Sequence, residues 1–258
     1  MAGARQGRGL LSVLFWLAAA AALAGVFAIA FFMSAIGRPG PLQQDRTFVV
    51  ERGATGTAIA RGLEREGVIT DDLLFRIAKR FHGGGELQAG EYLIPARASI
   101  SEVVDMMTSG AALMHAITFP EGITIAAAMR IIEQSEVLAG DLPQTPPEGA
   151  IMPDTYHVQR GMTRAALLQL MRDARDRAVA EIWESRQPGL PLNSPEELVT
   201  LASIVKRETG LAEERAMVAG VFINRLRRPM RLDTDPTIIY GVCLRYPERC
   251  DDGRLVDA

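Results

Sequence analysis

Between Leu10 and Ile36 the chain carries no charged residue, a run of 27 positions. No other feature constrains the fold as strongly. Crossing the hydrocarbon core of a bilayer takes about 20 apolar residues in a helix, so residues 10–36 read as a transmembrane signal anchor. Arg5 and Arg8 precede the run and no acidic residue does. That bias keeps residues 1–9 in the cytoplasm as a short tail and puts everything after residue 36 on the other side. A cleaved signal peptide is the competing reading. Its apolar region is about 7–15 residues long, shorter than this one, but the Ala-rich run at 18–24 has the small residues that a cleavage site needs.

Charge and cysteine usage narrow the function classes. With 28 basic and 31 acidic residues the formal net charge is −3, so there is no basic excess for nucleic acid and none is expected as a partner. Cys243 and Cys250 lie close together near the end. A compartment outside the cytoplasm permits a disulfide between them, and free thiols fit equally well. His82, His115 and His157 are scattered, without HExxH or paired Cys/His spacing, so a metal site is not expected.

"GRPGPLQQD" opens residues 37–46, which read as a linker off the membrane. Residues 47–110 follow as strand, helix, helix, strand and a further helix. "TFVVE" and "GEYLIP" are the strands. Thr55 or Thr57 caps the first helix, Thr70 the second, "GGG" at 83–85 stops the second, and Gly110 stops the third. Residues 111–258 form a second region. In it "AITFPEG" is a strand and turn, "TIAAAMRIIEQ" a helix, and "PPEGAIMPDTYHV" a Pro/Gly-punctuated segment. A long amphipathic helix and two further helices follow, then the irregular "PMRLDTDPTIIYG". Helix dominates with a few short strands, so the fold class is α+β.

One helix of this region carries an anomaly. Ser194 is a good N-cap, Pro195 suits the first position, Glu197 completes a capping box, and Gly210 is a natural stop, so the helix spans 195–209. At about 100° per residue, Leu198, Leu201, Ala202, Ile204 and Val205 share one arc, and Glu208 projects inside it between Leu201 and Ile204. A carboxylate buried there loses hydration, which disfavours its charged form and suits it to protonate a poor leaving group. The alternative is a helix-end residue that frays into solvent or pairs with an arginine.

The segments "LASIVKRETG", "ERAMVAGVFINRLRRPMRLDTDPTIIYG" and "EGAIMPDTYHV" closely resemble the YceG-like endolytic murein transglycosylases, and the resemblance runs from the anchor to about Gly241. Residues 47–110, with "GATGTAIARGLEREGVI" and "LQAGEYLIP", resemble that family's LysM-like subdomain, a glycan-binding βααβ unit. The resemblance implies an inner-membrane enzyme facing the periplasm that cuts nascent peptidoglycan strands at the β-1,4 bond between N-acetylmuramic acid and N-acetylglucosamine. It leaves 1,6-anhydro ends, with peptidoglycan synthases as further candidate partners. The family's catalytic glutamate falls on Glu208.

Other matched positions carry weaker implications. Asn224 hydrogen-bonds an N-acetyl group or is an ordinary helix polar group. Asp235 is an N-cap for "PTIIYG" or a substrate contact. Tyr240 and Tyr156 offer flat faces to sugars or pack in a core. Arg225 is expected to pair with a carboxylate, Glu208 among them. Two departures stand out. The family commonly has an acidic residue where this chain has Lys206, on a heading away from Glu208. The family pattern also continues beyond Ala258, so the catalytic domain is expected to be incomplete. On that ground the alternative function is an inactive, membrane-anchored peptidoglycan-binding or scaffold protein.

Overall fold

A computed structural model describes residues 6–81, 85–251 and 254–255, and the chain divides into two compact units, Met1–Leu113 and Met114–Ala258. Helix and strand are mixed, as the α+β reading expects. Helix α1 (Gln6–Ile36) takes up the whole uncharged run, and its Leu14–Ile36 stretch is long and apolar enough to cross a membrane. Its last turn has a second role. Ile36 is 1% exposed and belongs to the core of the first unit, with Phe32 packed against the same core.

The segment that reads as a linker off the membrane is packed along the first unit. Gly40 N–H donates to Arg97 O at 3.0 Å, and Arg97 N–H donates to Leu42 O at 3.0 Å. The Asp45 carboxylate accepts from Ala96 N at 2.9 Å. Leu42 is buried in the unit's core. A Cβ on Gly40 would lie 2.2 Å from Ala98 O, so the glycine serves close backbone approach rather than freedom. Arg97, at φ 62, is held in the left-handed region by these contacts.

The rest of the first unit runs β1 (Arg46–Val50), α2 (Gly56–Arg65), α3 (Asp72–Phe81), β2 (Gly90–Ile94) and α4 (Ile100–Ser109). The two strands pair antiparallel with Phe48 opposite Tyr92. Period-2 alternation turns Phe48, Val50, Tyr92 and Ile94 inward. Thr55 caps α2 by accepting from Ala58 N. For α3 the cap is Asp71 rather than Thr70: the Asp71 carboxylate accepts from Leu74 N at 2.9 Å, the usual reach of an N-cap side chain to the third helical residue. Helix α4 has a full capping box between Ser99 and Glu102 and ends on Gly110 in the left-handed conformation. Gly83 and Gly84 of the expected "GGG" stop, and His82, lie outside the described residues.

The second unit starts with β3 (Met114–Thr118), α5 (Ile125–Gln134), β4 (Leu138–Ala139), β5 (Thr155–Gln159), β6 (Met162–Thr163) and α6 (Arg164–Ser185). Strand β5 was not expected within the Pro/Gly-punctuated segment. It pairs antiparallel with β3, Ile117 opposite Tyr156, and its alternation is plain once framed: Tyr156 and Val158 are buried, Thr155 and His157 exposed. These elements enclose one core. A smaller core lies between α7 (Pro195–Glu208) and α8 (Arg215–Arg227), built on Leu201, Val205 and Phe222. Helix α9 (Asp235–Arg245) follows, longer than the irregular reading of 229–241 allowed. Cys243 on α9 is disulfide-bonded to Cys250, which closes the choice left open by their spacing.

The junction of α5, β4 and α6 is held by one side chain. The Arg164 guanidinium donates to the carbonyls of Ile132 (3.1 Å), Gly140 (2.7 Å), Glu133 (3.0 Å) and Ser135 (3.2 Å). Three of these belong to the C-terminal end of α5, where carbonyls lack intrahelical partners. Arg164→Ala is therefore expected to lower unfolding stability by about 1–3 kcal/mol. Arg164→Lys should recover only part of the loss, because an ammonium cannot fork to several acceptors. Urea unfolding of the detergent-solubilised chain measures both, and an unchanged midpoint in Arg164→Ala refutes the clamp.

Candidate functional site

The site is organised around the C-terminal end of α7. Ser194 accepts from Glu197 N at 3.2 Å, with Pro195 in the first turn, as the capping signature requires. The reciprocal arm reaches one residue further than a capping box: Glu197 accepts from Asn193 N at 2.7 Å. At the other end the helix stops at Glu208, and Gly210 is not left-handed. The C-cap is Thr209, extended at φ −134 and ψ 135, with its N–H on Val205 O. Thr209 is 8% exposed. Its hydroxyl donates to Glu214 Oε2 at 2.8 Å and accepts from Leu211 N at 3.1 Å.

Turning Thr209 inward leaves Glu208 outward. Glu208 is exposed, which corrects the expectation of a carboxylate buried against Leu201 and Ile204. The helical wheel gave its heading correctly, but at the last turn no neighbouring element covers that heading. Glu208 has no hydrogen bond or ion pair among the described residues. The expected pairing with Arg225 is not formed either. Arg225 instead donates to the Leu232 carbonyl and so braces the segment leading into α9.

A basic patch flanks the same helix end. Lys206 pairs with Glu121, and Arg215 at the start of α8 lies 3.6 Å from the same carboxylate. The hydrogen bond and charge of Lys206, with a smaller pull from Arg215, hold the Glu121 carboxyl below its usual range. Gly122, at φ +78, brings the 120–122 turn so close that a Cβ there would lie 3.3 Å from Arg207 Cδ. Lys206 thus fixes the turn after β3 onto α7. The sequence reading assigned it little role, and no signal in spacing alone pointed to Glu121.

The other candidates are distributed around this unit. Asn224 on α8 is exposed. Asp235 is the first residue of α9 and exposed; the N-cap is Thr234, extended and 1% exposed, so the expected cap shifts by one residue. Asp235 still sits in the first turn, where the helix dipole favours a carboxylate. Tyr240 is half-buried, and its hydroxyl donates to Glu148. Glu148, unremarked in the sequence although it lies in "PPEGAIMPDTYHV", also accepts from Ile125 N at 3.1 Å at the N-terminus of α5. It ties α9 to the body of the unit. Tyr156 is 8% exposed, edge-on to Phe119 at 6.0 Å, with its hydroxyl donating to Met152 O at 2.8 Å. Its flat face is therefore spent on core packing, which corrects the sugar-contact reading. No hydrogen bond or ion pair among the described residues joins Glu208 to Asn224, Asp235 or Tyr240.

An open apolar concavity of about 450 Å³ lies between α7 and α8, lined by Leu198, Leu201, Ala202, Val205 and Ala219 with Lys206 and Arg215 at its charged edge. Glu208 is not part of its lining. The polar chemistry of the unit is thus at the helix end, and the apolar surface lies along the helix shafts.

The Tyr240–Glu148 contact is directly measurable. Burial, then the Glu148 charge, then its hydrogen bond push the Tyr240 hydroxyl above its ordinary value. In Glu148→Gln the charge is gone and burial remains, so Tyr240 should ionise at a lower pH than in the parent chain yet still above a free tyrosine. Phenolate absorbance during alkaline titration, with Tyr240→Phe as the subtraction, reads this. No downward movement refutes the contact.

Comparison with known proteins matches these features to a family. The YceG-like family pattern matches residues 48–254. The endolytic murein transglycosylase of Streptococcus pneumoniae (strain D39) is 24% identical over 238 residues, covering 76% of this chain and 43% of its own length. That of Bacillus subtilis (strain 168) is 26% identical over 236 residues, covering 78% of this chain and 65% of its own. The chain therefore spans about half to two thirds of the relatives it matches. A yceG-like protein of Listeria monocytogenes, known from a crystal structure, aligns with TM-score 0.37 at 21% identity over 78% of this chain and 76% of that one. With the match running from β1 to the last described strand, the chain belongs to the YceG-like family.

Proposed function

We propose that this chain is a lytic transglycosylase that cuts peptidoglycan glycan strands internally, with Glu208 as its acid and base. The observation that carries the reading is the state of Glu208: an exposed carboxylate with no hydrogen bond or ion pair among the described residues, next to a residue held in place by its own hydroxyl. Family membership and the activity named for the pneumococcal and Bacillus relatives support it.

One carboxylate suffices for this chemistry, whereas glycoside hydrolysis ordinarily uses two. Protonated Glu208 gives its proton to the glycosidic oxygen as the bond between that oxygen and the muramic acid C1 breaks. The C6 hydroxyl of the same muramic acid then attacks C1 and passes its proton to the Glu208 carboxylate. The 1,6-anhydro ring closes, the acid is regenerated, and no water is consumed. The same group serves as acid and then as base by microscopic reversibility. A glycan strand laid across the site displaces water, and loss of hydration favours the neutral form of a carboxylate.

The remaining roles follow from position. Asn224, Asp235 and Tyr240 contact the sugar rings or their N-acetyl groups. Tyr240 is set by Glu148, and the turn at 120–122 is set by Lys206. In the first unit, the β–α–α–β order supports a LysM-like, glycan-binding reading. Helix α1 supports a single-pass anchor, with both units outside the cytoplasm. No cofactor takes part.

Glu208→Gln keeps the shape of the side chain and removes its proton. Cleavage of isolated glycan strands by the purified full chain should fall about 10²–10⁴-fold, with Thr209 undisturbed and the fold intact by circular dichroism. Mass spectrometry of the parent's products should find anhydro-muramyl ends. Reducing ends in their place point to water as nucleophile and sink the transglycosylase reading. Variant activity within about threefold of the parent sinks the role of Glu208.

A further inference from the structure

Helix α1 does not simply leave the membrane and release the first unit on a tether. Its last turn is built into that unit, with Ile36 1% exposed and Phe32 packed on the same core. The segment after it has no slack, because Gly40, Leu42 and Asp45 are bonded to the 95–98 strap. Setting Phe32–Ile36 aside leaves Leu10–Phe31, 22 residues without charge, still above the roughly 20 needed to span the hydrocarbon. The anchor is thus long enough to cross a bilayer and to enter the unit's core without a break.

Helix α3 shows which surface then meets the lipid. Its final residue, Phe81, lies edge-on to Phe32 with ring centroids 6.0 Å apart, yet it is 73% exposed. A phenyl ring that exposed, resting against the shaft of an apolar helix at the depth where the helix leaves the bilayer, continues the apolar surface of that helix sideways. Two exposed cations accompany the two rings in sequence, Arg80 next to Phe81 and Arg38 two residues past the end of α1. From Leu10 to Gln44 the chain has no acidic residue. Aromatic rings with flanking arginines are suited to the layer where acyl chains meet phosphates.

We propose that the first unit is seated on the bilayer, with Phe81 in the boundary between headgroups and acyl chains and Arg38 and Arg80 against lipid phosphates. The partner is a phospholipid surface, and the proposal rests on the reading of α1 as a spanning helix. Seating gives the unit a fixed height and tilt, so any glycan that it holds runs at a set distance from the membrane.

The test uses the full chain reconstituted in phosphatidylcholine vesicles containing phosphatidylglycerol. In a Trp183→Phe background, the native Trp16 reports on the span. In a Trp16→Phe, Trp183→Phe background, Phe81→Trp reports on the seat, at a position exposed enough to accept the larger ring. Trp16 should be quenched by a nitroxide carried at the acyl-chain end. The tryptophan at 81 should be quenched at least about twofold more by a nitroxide near the headgroup end than by one at the chain end. Adding Arg38→Glu and Arg80→Glu should weaken that shallow quenching about twofold or more. Quenched Trp16 with an unquenched tryptophan at 81 overturns the seating and leaves the span standing. An unquenched Trp16 overturns the span and the seating with it. Quenching indifferent to the arginine reversals overturns the phosphate contact.

Discussion

Thr209 is the residue on which the candidate site depends. A helix end must satisfy its last carbonyls and choose a direction for the chain; here the Thr209 N–H serves the Val205 carbonyl and its buried hydroxyl sets the direction. The hydroxyl donates to Glu214 and accepts from Leu211 N, so the turn after α7 is closed by contacts two and five residues on. Glu208, the residue before Thr209, is exposed because no element among the described residues covers its heading at the last turn. A defined turn matters for a group proposed to react, because misplacement by about 1 Å already costs on the order of 10²-fold in rate.

The ionic contacts around that turn act through geometry more than through energy. Glu121 is exposed, and exposed ion pairs contribute at most about 1 kcal/mol. Yet Lys206 and Arg215 both converge on it from different helices, and Gly122 lets the backbone approach the stem of Arg207. The turn after β3 is thereby registered against the ends of two helices at once. Glu148 does the same on the other flank, with one carboxylate bridging the N-terminus of α5 and the Tyr240 hydroxyl. The disulfide from Cys243 to Cys250 then restrains the far end of α9. Short polar contacts hold what the small core of Leu201, Val205 and Phe222 is too slight to hold alone.

Local signals were the legible part of the sequence. The caps at Thr55 and Ser194, the Gly110 stop and the β–α–α–β order are all set within a few residues of chain, where sterics and hydrogen bonding decide. Tertiary coverage was not legible. A helical wheel gives the heading of Glu208 but not whether another element lies there, and at the last turn none does. The Pro/Gly-rich stretch after α1 looked free because glycine marks freedom and close approach alike; the contact of Gly40 with Ala98 O depends on a strap some 60 residues away. Strand β5 was hidden for the same reason. Its alternation covers only five residues, and its partner β3 lies on the far side of α5. Asp71 and Thr234 displaced their neighbours as caps by one residue, within the usual uncertainty of helix ends.

The acids around Glu208 complete the physical picture. Glu121 is committed to Lys206 and Arg215, Glu214 to the Thr209 hydroxyl, and Glu148 to a helix N-terminus and a tyrosine. Each is already engaged by a partner, and the Lys206 contact holds Glu121 below its usual carboxylate range. The proposed chemistry, in which the sugar brings its own nucleophile, makes no demand on these three acids, and their contacts keep the turn that presents Glu208 in place.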